Sequence, residues 1–434
     1  MKSILLAALL LAGAAEAQIK VGVYGPFTGG SAGMGVSMRN GATLAADEIN
    51  KAGGVLGKQI VIVARDDEAR NEKGAQIMQE LLDNENVVAV LGPINTGVAD
   101  ASSRYCEEKK IPLIINASAG AKVNELFAQY PDNYVFRIAA GDLLQAEEIV
   151  HEAVDVRKYK KVALLCDDTN YGQNGRAKME KALEKRQVKP VYIGKFKIKD
   201  TDMTAQLQEA KSAGAEALLL YGIGPELAAV ANSTNRIGWK VDLIGAWTLS
   251  MSAFITNAGK NGDGATMPQT FIEAGATAGK QKEFVEDYEK KFNEKPISVA
   301  VAAAQGYDSM YLLKLAIEQA GSTEGPKIKE ALESLKKPYD GITGHYAPPF
   351  SKTDHEAVKG TNVVMGVVKD GKVVPPARAA KAGKADKDLA GEKGTGTAVK
   401  AGEKAGEPAA ADTAAGAADA GTAAPAAKKH HKKK

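Results

Sequence analysis

Cysteine, histidine, aromatic side chains and net charge are all scarce in this chain of 434 residues. Two cysteines, Cys106 and Cys166, do not make a disulfide framework, and their spacing places one on a helix and one at a strand end. Two separate, reduced thiols is the reading that follows. Only five histidines occur, and none stands in H-E-x-x-H; G-x-S-x-G and C-x-x-C are also missing. The common metallohydrolase, serine-hydrolase and dithiol chemistries therefore have no sequence support. A formal charge of +3 gives no argument for a nucleic-acid or acidic partner. Past the N-terminus no run is long and apolar enough to span a bilayer.

What charge there is lies unevenly. Residues 377–434 hold 12 Lys and Arg against 7 Asp and Glu, leaving 44 and 46 in residues 1–376. The body is near neutral, and the base sits in a tail of Ala, Gly, Lys, Asp, Glu and Thr without an aromatic residue, ending HHKKK. Such a composition cannot bury enough apolar surface to order itself, which predicts a disordered tail. It serves as a solubilising linker or as an electrostatic contact with an anionic envelope surface. At the other end, Lys2, the apolar run Ile4 to Ala12 and the small-x-small triplet Ala15-Glu16-Ala17 predict an export signal covering residues 1–17. No cysteine stands at the cleavage point to carry a lipid.

Between these ends, apolar strand runs alternate with helical patterns. Strands are predicted at Ile19–Tyr24, Ile60–Ala64, Val87–Leu91, Leu113–Ile115 and Tyr134–Ile138, with helices between them such as Ser37–Asn50 and Asn71–Leu82. The alternation then restarts: strands at Lys161–Cys166, Val191–Phe196, Ala217–Tyr221 and Leu243–Gly245 alternate with helices at Gly141–Val154, Gly175–Lys185, Ala205–Ser212 and Pro225–Arg236. Three further helices (Gln281–Phe292, Ser298–Gln319, Lys327–Ser334) and a hairpin over Asn362–Val374, turning at Lys369-Asp370-Gly371, complete the body. Strands and helices in this rhythm imply two α/β units of right-handed βαβ crossovers, each a parallel-sheet three-layer sandwich.

The stretch Asn95 to Ala119 is where a ligand is expected. Loops rich in small and hydroxyl residues, around Thr96 and at Asn116-Ala117-Ser118-Ala119, follow two adjacent strands. In an open parallel sheet such strand ends face one crevice. Short side chains there let an anion such as a carboxylate approach backbone N–H groups and a helix start. Tyr171 mirrors this place in the second unit, and its ring either faces the crevice or packs under its own loop. The glycine loop Gly30 to Gly35 resembles half a dinucleotide fingerprint, but Met38 occupies the third position and Asp66 comes late, so a helix-capping loop accounts for it. Helix capping also explains Asp66-Asp67 and Asp167-Asp168 better than acid–base work does. An exposed loop accounts for Asp354-His355.

Taken together, GPFTGGSAGMG, NGATLAADEINKAGGVLGKQI, LGPINTGVADASS, IPLIINASAGA, DDTNYGQNG, YGIGPE and AAQGYD make the chain resemble the periplasmic branched-chain amino-acid-binding proteins of ABC transporters over residues 19 to about 375. The resemblance implies a two-lobed, type I periplasmic-binding (Venus flytrap) fold. It implies a signal peptide at 1–17, a first lobe of 18–139 and 270–340, and a second lobe of 140–269 and 341–376. The implied role is transport without catalysis, cofactor or metal, by a periplasmic monomer that delivers a small molecule to an inner-membrane permease–ATPase complex and binds no nucleic acid. By matching position, Thr96, Ala117, Ser118 and Ala119 receive the ligand carboxylate, Tyr171 closes over it, and Met34 lines the side-chain pocket.

The chain departs from the family at two places. Where a second closing tyrosine belongs stands Ile223, with Tyr221 nearby. The glutamate that pairs with the ligand ammonium falls on Trp247 when counted without gaps from Pro225-Glu226. A buried ammonium without a carboxylate is costly, so either another acid, such as Asp242 or Glu273, reaches in, or the ligand is a small aromatic or aliphatic carboxylate lacking an ammonium. A third reading is a ligand-binding sensor module.

Overall fold

The structure, a computed structural model, describes residues 18–376; the predicted export signal and tail lie outside them. The first sheet holds β1 (Ile19–Gly25), β2 (Ile60–Asp66), β3 (Ala89–Leu91), β4 (Leu113–Ile115) and β5 (Val135–Arg137), all parallel in the order β2-β1-β3-β4-β5. Helices α1 (Ala32–Lys51), α2 (Asn71–Asp83) and α3 (Thr96–Lys109) connect them. The second half begins with α4 (Asp142–Val150) and continues through β6 (Val162–Asp167), α5 (Asn170–Lys185), β7 (Tyr192–Phe196), α6 (Thr204–Ser212), β8 (Ala217–Tyr221), α7 (Gly224–Arg236), β9 (Asp242–Gly245), α8 (Ser252–Ala258) and β10 (Thr266–Gln269). Then come α9 (Gly279–Phe292), α10 (Ala300–Ala320), α11 (Gly325–Glu333), the short pair β11 (Tyr339–Asp340) and β12 (His345–Tyr346), and the hairpin β13 (Val364–Lys369) and β14 (Lys372–Val374).

The second sheet runs β14-β13-β10-β9-β8-β6-β7, parallel from β7 to β10 and antiparallel through the hairpin. Strands β3, β4, β6 and β8 are buried at every residue, as strands covered by helices on both faces must be. The chain order reverses beside β1 in the first sheet and beside β6 in the second, which puts a crevice at each set of carboxyl ends. Asp370 and Gly371 both have positive φ (48° and 74°), the pair a two-residue hairpin turn requires.

Glycine permits the closest helix contact. A side chain on Gly41 of α1 would collide with the carbonyl of Ala303, and one on Gly306 of α10 with the carbonyl of Met38. These two glycines belong to two of the sequence stretches quoted above, and their packing fixes α10 against the first half.

Three features differ from the expectations. Strand β10 was not foreseen, because its four residues contain Pro268 and no branched run; it forms by pairing with β9 and β13. His355 is fully buried, stacked on Phe136 at 3.9 Å and hydrogen-bonded through Nδ1 to the Val135 carbonyl (2.9 Å), so no exposed loop holds it. Residues 341–357, placed in the second lobe from the sequence, attach instead to the first half. Asp308 of α10 accepts from the Ile342 and Thr343 amides (2.8 and 2.9 Å), and Glu356 pairs with Arg137. Among the described residues no helix is long and apolar enough to cross a membrane.

Candidate functional site

The loop after β4 is organised by Arg137, a residue the sequence reading passed over. Its Nη1 donates to the carbonyls of Ser118 (3.1 Å), Ala119 (2.6 Å) and Ala121 (3.0 Å), while Nε donates to Glu356 (2.7 Å). A trans peptide points its N–H opposite its C=O. Turning these carbonyls toward Arg137 therefore turns the Ala119 and Gly120 amides away from it. The Gly120 amide is found on Thr96 Oγ1 (3.3 Å), on that opposite side. The loop thus presents N–H groups and hydroxyls, the groups an oxyanion needs.

Thr96, Ala117, Ser118 and Ala119 are brought together here, each at most 2 % exposed. The hydroxyl of Ser118 has no hydrogen-bond partner. Met34 lies in the first turn of α1, also buried, and its glycine loop is tethered by Asp66, which accepts from the Phe27 amide and the Thr28 hydroxyl (both 2.8 Å). A side chain on Gly35, in the first turn of α1, would strike the Pro26 carbonyl, so glycine here lets the helix start pack closely on the preceding loop.

Tyr171 stands in the first turn of α5. Thr169 caps that helix, and Asp167 accepts from the Thr169 and Gly172 amides (3.0 and 3.2 Å), the capping role expected of it. The Tyr171 ring packs on Tyr221 at 4.7 Å between centroids. Its hydroxyl approaches Tyr221 and Thr248 without reaching hydrogen-bond geometry with either. Tyr221, fully buried at the end of β8, donates from its hydroxyl to Asp142 Oδ1 (2.6 Å). Trp247 follows β9, held by its backbone: the amide donates to Gln145 Oε1 (3.1 Å) and the carbonyl accepts from Gln269 Nε2 (3.1 Å). Its indole N–H, 5 % exposed as a residue, has no partner.

Asp142 is the acid the sequence reading missed. Its only signal was a carboxylate at the start of a helix, which capping explains equally well. Folding places its Oδ2, buried and unpartnered, beside Gly120 and Thr96: a side chain on Gly120 would stand 2.7 Å from both Asp142 Oδ2 and Thr96 Cγ2. Burial pushes its carboxyl up to about 6, with the Tyr221 hydrogen bond and the Arg137 charge pulling the other way. The two alternative acids do not reach in. Asp242 pairs with Arg157 and Tyr159 at the far end of β9, and Glu273, in the segment after β10, accepts from the Ile297 amide.

The two halves are closed on each other. Asn170 Nδ2 of α5 donates to Asp100 Oδ2 of α3 (3.1 Å), and Asn174 Nδ2 reaches the Gly120 carbonyl (3.5 Å). Ser118 Oγ, Tyr171 OH, Trp247 Nε1 and Asp142 Oδ2 are all buried and unsatisfied in or beside this closed cleft. Orphaned buried polar atoms are rare in folded proteins, and a set of them at facing strand ends marks a place for a polar ligand. Among the described residues no group of His, Cys, Asp and Glu is arranged to hold a metal ion.

Known proteins resemble this chain in sequence and in fold. It is 28 % identical over 313 residues to the Leu/Ile/Val-binding protein homolog 3 of Brucella melitensis, covering 72 % of this chain and 82 % of that protein. To the leucine-, isoleucine-, valine-, threonine-, and alanine-binding protein of Pseudomonas aeruginosa it is 25 % identical over 337 residues, covering 76 % and 87 %. The isoleucine complex of the branched-chain amino acid transporter substrate-binding protein LivJ from Streptococcus pneumoniae superposes with a TM-score of 0.72 at 25 % identity, covering 83 % of this chain and all of that one. The periplasmic binding protein family model matches residues 18–372, so the chain belongs to that family.

Proposed function

We propose that the protein is the periplasmic substrate-binding component of an ABC importer and that its cleft takes branched-chain or related amino acids. The observation that carries this reading is the pairing, in one buried place, of an oxyanion loop at Thr96 and Ser118 with the unpartnered oxygen of Asp142. An α-amino acid carries a carboxylate and an ammonium on one carbon, and such a site holds both. The Ala119 amide and the Ser118 and Thr96 hydroxyls receive the carboxylate. Asp142 receives the ammonium, the role that the family glutamate would have filled at Trp247. Met34 and Trp247 border the side chain, and Tyr171 covers the ligand from the second lobe.

The first lobe comprises residues 18–139 and 270–357 and the second 140–269 and 358–376, joined at three crossings that permit hinge closure. The ligand leaves chemically unchanged, passed by a monomer to a membrane permease–ATPase complex. Residues 1–17 direct export to the periplasm and are removed.

One observation favours a second reading. Trp247 Nε1 can only donate, and buried donors seek acceptors. A small carboxylate bearing a hydroxyl or carbonyl at its far end supplies one. A thermal-shift panel of leucine, isoleucine, valine and alanine against benzoate and 4-hydroxybenzoate separates the two. Stabilisation by the aliphatic amino acids supports the first reading; stabilisation by the aromatic acids alone overturns it.

A further inference from the structure

A second cavity, of about 370 Å³, opens between the two halves beside the cleft. The seam on the cleft side is closed by the hydrogen bond from the Ser252 amide to the Ser298 carbonyl (2.9 Å), against which Gly33 of the glycine loop lies. Its walls come from both halves: Ile255 and Val373 from the second, Val285, Ile297 and Val301 from the first, with Phe271 on the segment that follows β10. The surface is largely apolar, and of its two carboxylates, Glu273 and Glu289, only Glu273 is not paired with a lysine on the walls. Glu273 Oε2 accepts from the Ile297 amide (3.1 Å), and its other oxygen has no hydrogen-bond partner among the described residues. The remaining charged groups on the walls are Glu289 and Lys295, paired with each other at 2.7 Å, and Lys372 on the exposed hairpin.

We propose that this cavity is a second binding site, for a small apolar molecule carrying one protonated amine, and that its occupation is coupled to ligand binding in the cleft. The hydrocarbon part fits the aliphatic walls, and the ammonium pairs with the free oxygen of Glu273. Glu273 is half-buried; burial, with the nearby Glu289 charge, pushes its carboxyl up to about 7 against the Ile297 hydrogen bond and the Lys295 and Lys372 charges, and an ammonium at its free oxygen supplies a direct counter-charge. Because the walls belong to halves that rotate against each other, a molecule touching both favours the closed arrangement. Coupling of this kind is reciprocal: the amine tightens the cleft ligand, and the cleft ligand tightens the amine.

The site goes beyond the transport reading and is tested apart from it. Cyclohexylamine is titrated into the full chain by calorimetry at pH 8, where Glu273 is ionised, with cyclohexanol as the uncharged control. We expect saturable binding of the amine, weakened about tenfold or more in Glu273→Gln and abolished in Val285→Trp, which fills the cavity. In the second arm, saturating cyclohexylamine lowers the leucine Kd about threefold or more, and not in Glu273→Gln. No binding of the amine, equal binding by Glu273→Gln, or competition between amine and leucine overturns the proposal. Should leucine fail to bind at all, the first arm still decides the cavity while the transport reading falls on its own.

Discussion

The hydroxyl of Tyr221, at the end of a second-half strand, donates a 2.6 Å hydrogen bond to Asp142 and leaves the other carboxylate oxygen buried without a partner. One oxygen is fixed by the protein and the other is left for something else. Asp142 thus keeps one oxygen free although it is nearly inaccessible to solvent, and this sets the first test.

Asp142→Asn should weaken leucine by about tenfold or more, because a desolvated ammonium then lacks its counter-charge. The pH dependence has a definite sign. Asp142 is raised from 3.8 to about 6, so in the unliganded protein it holds a proton below that value and costs stability as pH rises from about 4 to 6. An ammonium needs the ionised form. Leucine affinity is therefore flat above pH 7 and falls about tenfold by pH 5. Calorimetry from pH 8 to 5 checks this, and an affinity unchanged across that range removes Asp142 from the ammonium site.

Arg137→Met should cost about 3–5 kcal/mol of stability, since it leaves Glu356 without its partner and frees three carbonyls. Denaturant unfolding measures it. A loss below 1 kcal/mol would mean that the loop holds its shape without the guanidinium.

Asn170→Ala removes a hydrogen bond that spans the closed cleft and touches no ligand-binding group. The bond is solvent-exposed, so we expect a ligand off-rate about threefold higher with an unchanged on-rate. Stopped-flow tryptophan fluorescence reads both; an altered on-rate with a constant off-rate contradicts the latch.

Trp247→Phe keeps a ring in place and deletes the unpartnered N–H. If the ligand is an aliphatic amino acid, its affinity changes by less than about threefold, because no bond to the indole is lost. A ligand with an acceptor at its far end loses about tenfold. Paired titrations of leucine and 4-hydroxybenzoate therefore distinguish the two cleft readings independently of the thermal-shift panel.

The α/β alternation was legible in the sequence almost element by element, because strands covered on both faces must be continuously apolar and helices between them amphipathic. Strand β4 and strand β8 fall at the predicted residues. Strand β10 was illegible, since Thr-Met-Pro-Gln becomes a strand only when β9 and β13 offer their edges. The loops at Thr96 and Ser118 were legible for the opposite reason: small polar residues after an apolar run are an anomaly that burial alone would not choose. Arg137, Asp142 and Gln145 gave no such signal. Each sits at an ordinary strand end or helix start, and each does its work on residues between 16 and 219 positions away.

Sequence alone thus determined the architecture and the small, hydroxyl-rich composition of the two loops at Thr96 and Ser118 that the fold brings together. Periodicity and local composition encode those things within a few residues of where they act. Which acid keeps a buried oxygen free beside the Thr96 loop was decided only in three dimensions. Asp142, Asp242 and Glu273 are equivalent as letters, and only burial and partners separate them: Arg157 and Tyr159 occupy Asp242, Glu273 turns to a separate cavity, and Tyr221 holds Asp142 with one oxygen free beside Thr96.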